Sequence, residues 1–232
     1  MKTIICAGPP TAGKTTVLKQ VIKKLRDKGL SMSYLKIDVQ FTDEDEVFQK
    51  QFGIPTKKVY SGELCPDHCN VMVLGDAIEW ALDIKSDILF VETAGLCLRC
   101  SPYIERSLGI VVLEATSGMN LPRKIGPLLA LADVAIVTKI DLVSQAEREV
   151  FRANILKAAR PDIIETDALH GINMDRIVQR IESADDTTAP YMLRGNPPVG
   201  VCTICVGKKE VGWQKHFGIV RPLDGATFYR GE

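Results

Sequence analysis

Two groups of residues in this chain have types and spacing that imply chemistry. The first is Gly8-Pro9-Pro10-Thr11-Ala12-Gly13-Lys14-Thr15, with Thr16 behind it, a Gly-x4-Gly-Lys-Thr run. Glycines at that spacing let backbone N–H groups close around phosphate oxygens. The lysine carries a charge to the β- and γ-phosphates, and the threonine hydroxyl is a Mg²⁺ ligand. The second group is six cysteines in pairs, Cys65/Cys69, Cys97/Cys100 and Cys202/Cys205, with His68 inside the first pair and His216 beyond the last. Two pairs are C-x2-C, which lets two thiolates hold one metal ion. The seventh cysteine, Cys6, lies in an apolar run and reads as a small buried side chain.

The elements that position these groups follow from hydrophobic periodicity. Residues 2–7 are a short apolar strand running into the phosphate loop, and Val17, Leu18, Val21, Ile22 and Leu25 repeat at helical spacing behind it. This strand–loop–helix context separates a phosphate loop from a mere glycine turn. Further strands are expected at 33–38, 87–92, 109–114, 134–138 and 163–166. Helices are expected at 41–52, 71–82, 122–131, 144–159 and 172–183, with a turn-rich approach at 59–64. Strands alternating with helices predict an α/β fold, a doubly wound, mostly parallel sheet with helices on both faces. The nucleotide domain is expected to span 1–184 and a linker 185–190. Residues 191–232, rich in Gly and Pro, read as a small β-rich appendage.

The strand ends then acquire roles. Asp38 closes the second strand and Glu92 the third, both on the edge that faces the phosphate loop, where a carboxylate reaches the Mg²⁺ shell or orients water. Gly95, three residues past Glu92, is placed to sense the γ-phosphate through its N–H. Lys14, Asp38, Glu92 and Gly95 are therefore the candidate hydrolytic residues, and Thr15, Asp38 and Glu92 the candidate Mg²⁺ ligands. Thr138-Lys139-Ile140-Asp141 follows another apolar strand. A carboxylate there accepts from N1–H and N2–H₂ of guanine, a pair adenine lacks, and the lysine stem packs on the base. Asp167 and Ala168, after the next strand, bracket the base from its other side. GTP with Mg²⁺ is thus the expected ligand.

Lysine plus arginine and aspartate plus glutamate both number 29, so the net charge is zero. That gives no electrostatic case for nucleic acid or an anionic membrane as partner. No apolar run is long enough to span a bilayer, and a chain opening on its nucleotide strand leaves no room for a signal peptide. A cytoplasmic location is expected. There, cysteines are expected as thiols or metal ligands rather than disulfides, and three pairs favour metal ligation over a redox dithiol.

Residues 1 to about 184 resemble the SIMIBI-class metallochaperone GTPases, nearest to the HypB group that inserts nickel into hydrogenase, with UreG and CobW more distant. The resemblance rests on Gly8–Thr15, the Asp38 strand end, Phe52-Gly53-Ile54-Pro55, Ser61-Gly62-Glu63-Leu64-Cys65 and Phe90-Val91-Glu92-Thr93-Ala94-Gly95-Leu96-Cys97. It continues in Asn120-Leu121-Pro122-Arg123-Lys124, Ala132-Asp133-Val134 and Thr138–Asp141. It implies a GTPase that dimerises on nucleotide, holds a metal at the dimer interface through residues matching Cys65 and Cys97, and delivers it to a client metalloenzyme or maturation factor; turnover is expected to be slow, because no arginine finger can be named. The family has Cys and His adjacent, whereas this chain reads Cys65-Pro66-Asp67-His68-Cys69. Cys100 is additional, and the tail pair Cys202/Cys205 is not part of the common domain. An all-thiolate set suits zinc or an iron–sulfur cluster as well as nickel. Two other classes stay open. A nitrogenase iron-protein-like electron-transfer ATPase is opposed by Thr138–Asp141, and a small-molecule P-loop kinase by the lack of an arginine-rich lid.

Overall fold

The computed structural model of the chain describes residues 1–39, 42–61, 66–94, 101–196 and 208–212. Seven strands, β1 (Lys2–Ala7), β2 (Met32–Asp38), β3 (Thr56–Tyr60), β4 (Ile88–Glu92), β5 (Leu108–Glu114), β6 (Val134–Thr138) and β7 (Asp162–Glu165), form one sheet in the order β3-β2-β4-β1-β5-β6-β7. Every pairing is parallel. Crossovers are carried by α1 (Lys14–Arg26), α2 (Glu44–Phe52), α3 (Pro66–Asp83), α4 (Leu121–Lys124), α5 (Gly126–Ala130) and α6 (Gln145–Ala158), and α7 (Met174–Glu182) follows the last strand. The fold is the doubly wound P-loop NTPase fold that the sequence predicts.

Period-2 alternation divides the core. Ile4 and Cys6 of β1 join Tyr34 and the apolar stripes of α1, α2 and α7, while Ile5 and Ala7 join Leu35, Ile37 and α3 on the other face. β4 and β5 are near-continuous apolar runs because both faces are covered. The start of α6 is a full capping box: Ser144 accepts from the Glu147 N–H, and the Glu147 carboxylate accepts from the Ser144 N–H.

Three local expectations are corrected. Residues 56–60 form edge strand β3 on β2 rather than a turn; Lys57 and Lys58 hid its pattern, and charged side chains suit an exposed edge. The helix expected to begin at 71 starts at Pro66, since proline is tolerated in a first helical turn, so Asp67, His68 and Cys69 are helical. The single helix expected over 122–131 is two short ones, broken where Gly126-Pro127 opens α5.

Residues 185–194 run back along the body. Thr187 donates its N–H to Met1 O (2.9 Å), accepts from the Thr3 N–H (3.1 Å) and donates its hydroxyl to Arg106 O (2.9 Å). The Arg194 guanidinium donates to Ile104 O and Leu131 O, pairs with Asp133 (2.7 Å) and lies over the Tyr103 ring. Leu193 N–H donates to Lys209 O and Gly212 N–H to Val71 O, so 208–212 also lies against the body. The remainder of the expected appendage, 197–207 and 213–232, is outside the described residues.

Candidate nucleotide site

The phosphate loop turns tightly out of β1. Gly8 has φ +144°, and a Cβ there would stand 2.2 Å from the backbone oxygen of Val112, so only glycine fits against β5. Gly13, at φ +90°, caps α1 and points the helix N-terminus into the cleft. Lys14 arches back over the loop and donates to Gly8 O (3.0 Å) and Pro9 O (2.9 Å). Burial holds its pKa below the ordinary lysine value, with Glu92 opposing that shift. The loop's own carbonyls thus hold the charge over the cleft.

Beyond Lys14 lies a cleft of about 400 Å³, lined by Pro10, Lys14, Thr15, Asp38, Glu44 and Glu92 among others. The Thr15 hydroxyl is 2.8 Å from Glu92 Oε1 and 3.1 Å from Glu44 Oε1. The Lys36 ammonium sits 2.7 Å from Glu92, 2.5 Å from Glu44 and 3.4 Å from Asp38. Tyr34 OH donates to the second Glu92 oxygen (2.9 Å); burial, then Glu92, keeps that phenol protonated well above its usual range. The sequence reading included Thr15, Asp38 and Glu92 but missed Lys36, Glu44 and Tyr34. The signal for Lys36 and Tyr34 was there: 34, 36 and 38 share one face of β2, on the edge where Asp38 was expected. Hard oxygen donors from a hydroxyl and carboxylates suit Mg²⁺.

An adjoining cleft of about 270 Å³ is lined by Thr11, Gly13, Thr16, Thr138, Lys139, Asp141, Asp167 and Ala168, among others. Thr138 donates its hydroxyl to Ala12 O (2.7 Å), tying this cleft to the phosphate loop. Lys139 adopts φ +57° and pairs with Glu114. Asp167 accepts the N–H groups of Leu169 and His170 and pairs with the His170 ring. That contact holds Asp167 below the usual carboxylate range and raises His170. Leu142 and Leu169, 65% and 75% exposed, stand on the rim. The sequence reading passed over them; two exposed leucines at one cleft are suited to cover a flat base.

Cys65, Cys97, Cys100, Cys202 and Cys205, with Gly95 and His216, lie outside the described residues. Cys69 and His68 are buried in the first turns of α3. Cys6 is buried opposite Glu92 in the β1–β4 register, and burial pushes its thiol up, which keeps it neutral. Among the described residues, no three His, Cys, Asp or Glu side chains converge as a preformed metal site. Nor is any described helix long and apolar enough to cross a membrane.

Known proteins share this chain's sequence and fold. The family described as CobW/HypB/UreG, nucleotide-binding domain, matches residues 2–164. The chain is 45% identical, over the full length of both, to the uncharacterized protein MJ0120 of Methanocaldococcus jannaschii. It is 30% identical to the hydrogenase maturation factor HypB of Rhizobium leguminosarum over 135 residues, covering 58% of this chain and 44% of that one. Among solved structures, HypB of Archaeoglobus fulgidus superposes with a TM-score of 0.64 at 19% identity, covering 78% of this chain and 89% of that one. HypB of Helicobacter pylori, solved in complex with nickel, gives 0.63 at 18% identity, covering 82% and 91%.

Proposed function

The chain belongs to the CobW/HypB/UreG family of nucleotide-binding domains, and on that premise we propose that it hydrolyses GTP to drive the handling of a thiol-bound metal ion or metallocofactor. The observation that carries the nucleotide half is the pair of adjoining clefts. One offers Lys14, Thr15, Asp38 and Glu92, the other Thr138, Lys139, Asp141, Asp167 and Ala168, and the loop residues Thr11, Gly13 and Thr16 line both. Phosphates enter the first, where α1 points its N-terminus. The base enters the second, where the Asp141 carboxylate accepts from guanine N1–H and N2–H₂. Thr15, Asp38 and Glu92 would hold Mg²⁺, which supplies charge neutralisation between the β- and γ-phosphates. Lys14 carries positive charge to the same oxygens, and Gly95 reports the γ-phosphate.

The metal half is proposed from the thiols. Cys65 and Cys69 flank the start of α3. Cys97 and Cys100 follow Gly95 on the segment that answers to the γ-phosphate, so nucleotide state reaches their geometry. Leu193, before the Cys202/Cys205 pair, hydrogen-bonds to Lys209, after it, and bridges to Ile104, which follows Cys97/Cys100. These anchors support one site served by several pairs, with His68 and His216 as further donors. Zinc, nickel or an iron–sulfur cluster is the cargo, a homodimer closed by GTP its carrier, and a client metalloenzyme or maturation factor its destination.

Competition against a fluorescent guanine nucleotide tests the first half. GTP is expected to displace the probe at concentrations at least 100-fold lower than ATP, and phosphate release is expected from GTP with Mg²⁺. Equal competition by ATP would remove the guanine reading.

A further inference from the structure

The parallel register of β2 with β4 sets Lys36 opposite Glu92. The lysine is 5% exposed, and its ammonium touches three carboxylates, Asp38, Glu44 and Glu92. The Glu92 oxygen nearest to Lys36 is also the oxygen within hydrogen-bond reach of the Thr15 hydroxyl. An ammonium withdrawn from water persists where anions enclose it, and three carboxylates this close persist where a cation lies among them.

We propose that Lys36 is a resident cation: its ammonium holds the place between Thr15, Asp38 and Glu92 that a nucleotide-bound Mg²⁺ would take, and it keeps divalent ions out until phosphates enter. The inference rests on the Mg²⁺–nucleotide reading above and adds a device to it. A bare divalent ion approaching Glu92 meets an oxygen already shared by an ammonium and a hydroxyl, and two cations on one oxygen repel at short range. Phosphates alter that balance. They bring several negative charges into the cleft that Lys36 and Lys14 both line. The lysine's flexible four-carbon stem lets its ammonium follow those charges and release the carboxylates. Metal and nucleotide therefore enter together. A protein that handles thiophilic metals thereby keeps its hydrolytic site closed to free divalent ions.

The test uses Mn²⁺ as probe, with electron paramagnetic resonance reading the free ion, on the full chain and on Lys36→Met. Without nucleotide, the wild type is expected to leave Mn²⁺ free; with GDP it takes up the ion. Lys36→Met is expected to bind Mn²⁺ without nucleotide at least 10-fold more tightly than the wild type, and Lys36→Arg to behave like the wild type. Equal nucleotide-free affinities in the wild type and Lys36→Met, with GDP-dependent uptake in both, would overturn the resident-cation role and leave the nucleotide reading standing. Absence of uptake with GDP or GTP in either protein would overturn the nucleotide reading, and this inference with it. Should Lys36→Met not fold, Lys36→Met/Glu44→Gln removes one charge of each sign and is expected to exceed the wild type in nucleotide-free Mn²⁺ binding; failure to do so overturns the proposal.

Discussion

Asp141→Asn is expected to lower GTP affinity by about 100-fold or more, since hydrogen bonds to a charged group contribute about 1.5–3 kcal/mol each and the carboxylate makes two. The substitution turns one acceptor into an NH₂ donor. Guanine then presents its N2–H₂ to another donor, whereas xanthine presents a carbonyl there. Xanthosine triphosphate is therefore expected to recover most of the lost affinity. Asp141 is exposed in the short 3-10 turn Ile140–Leu142, so the melting temperature should not move. Displacement of a fluorescent nucleotide by GTP, ATP and xanthosine triphosphate reads the result. Unchanged GTP affinity would mean that the base does not meet Asp141.

Lys14→Met is expected to reduce GTP affinity by about 1000-fold, as two charge-assisted hydrogen bonds to phosphate oxygens are lost from a buried position. The effect should be confined to binding. The Lys14 ammonium donates to the loop carbonyls of Gly8 and Pro9, and burial disfavours its charged form. Methionine keeps the stem and removes the desolvated charge, at the cost of two carbonyl partners. These terms oppose one another, and the melting temperature should stay within about 4 °C of the wild type. A collapse of stability with affinity intact would assign Lys14 to the fold rather than to the phosphates.

The parts of the fold that were legible in the sequence are those in which one physical demand dominates. β4 and β5 are covered on both faces, and their unbroken apolar runs say so. The phosphate loop announces itself because glycine at 8 is forced by the approach of Val112 and glycine at 13 by its left-handed backbone. β3 was hidden because an edge strand tolerates Lys57 and Lys58, which dilute the alternation that marks a strand. The break at Gly126-Pro127 was hidden because the apolar residues on either side keep helical spacing. At the site, single-strand reasoning found Asp38 and Glu92, the acids that end strands. It did not find Lys36, because a lone lysine in an apolar strand reads as a stem reaching for solvent. Only the register that sets it against Glu92 shows that it turns inward. Glu44 opens α2, and its carboxylate reaches Lys36 only because α2 packs beside β2, through the stacked rings of Tyr34 and Phe48.

The central claim joins the nucleotide to the thiols, and the affinity of the protein for Zn²⁺ and Ni²⁺ in its two nucleotide states tests it most directly. Titration against a chromophoric chelator, with a non-hydrolysable GTP analogue and with GDP, is predicted to give affinities that differ by at least 10-fold, and Cys97→Ser is predicted to abolish the difference. Equal metal affinity in the two states, or a difference that survives Cys97→Ser, would contradict the account.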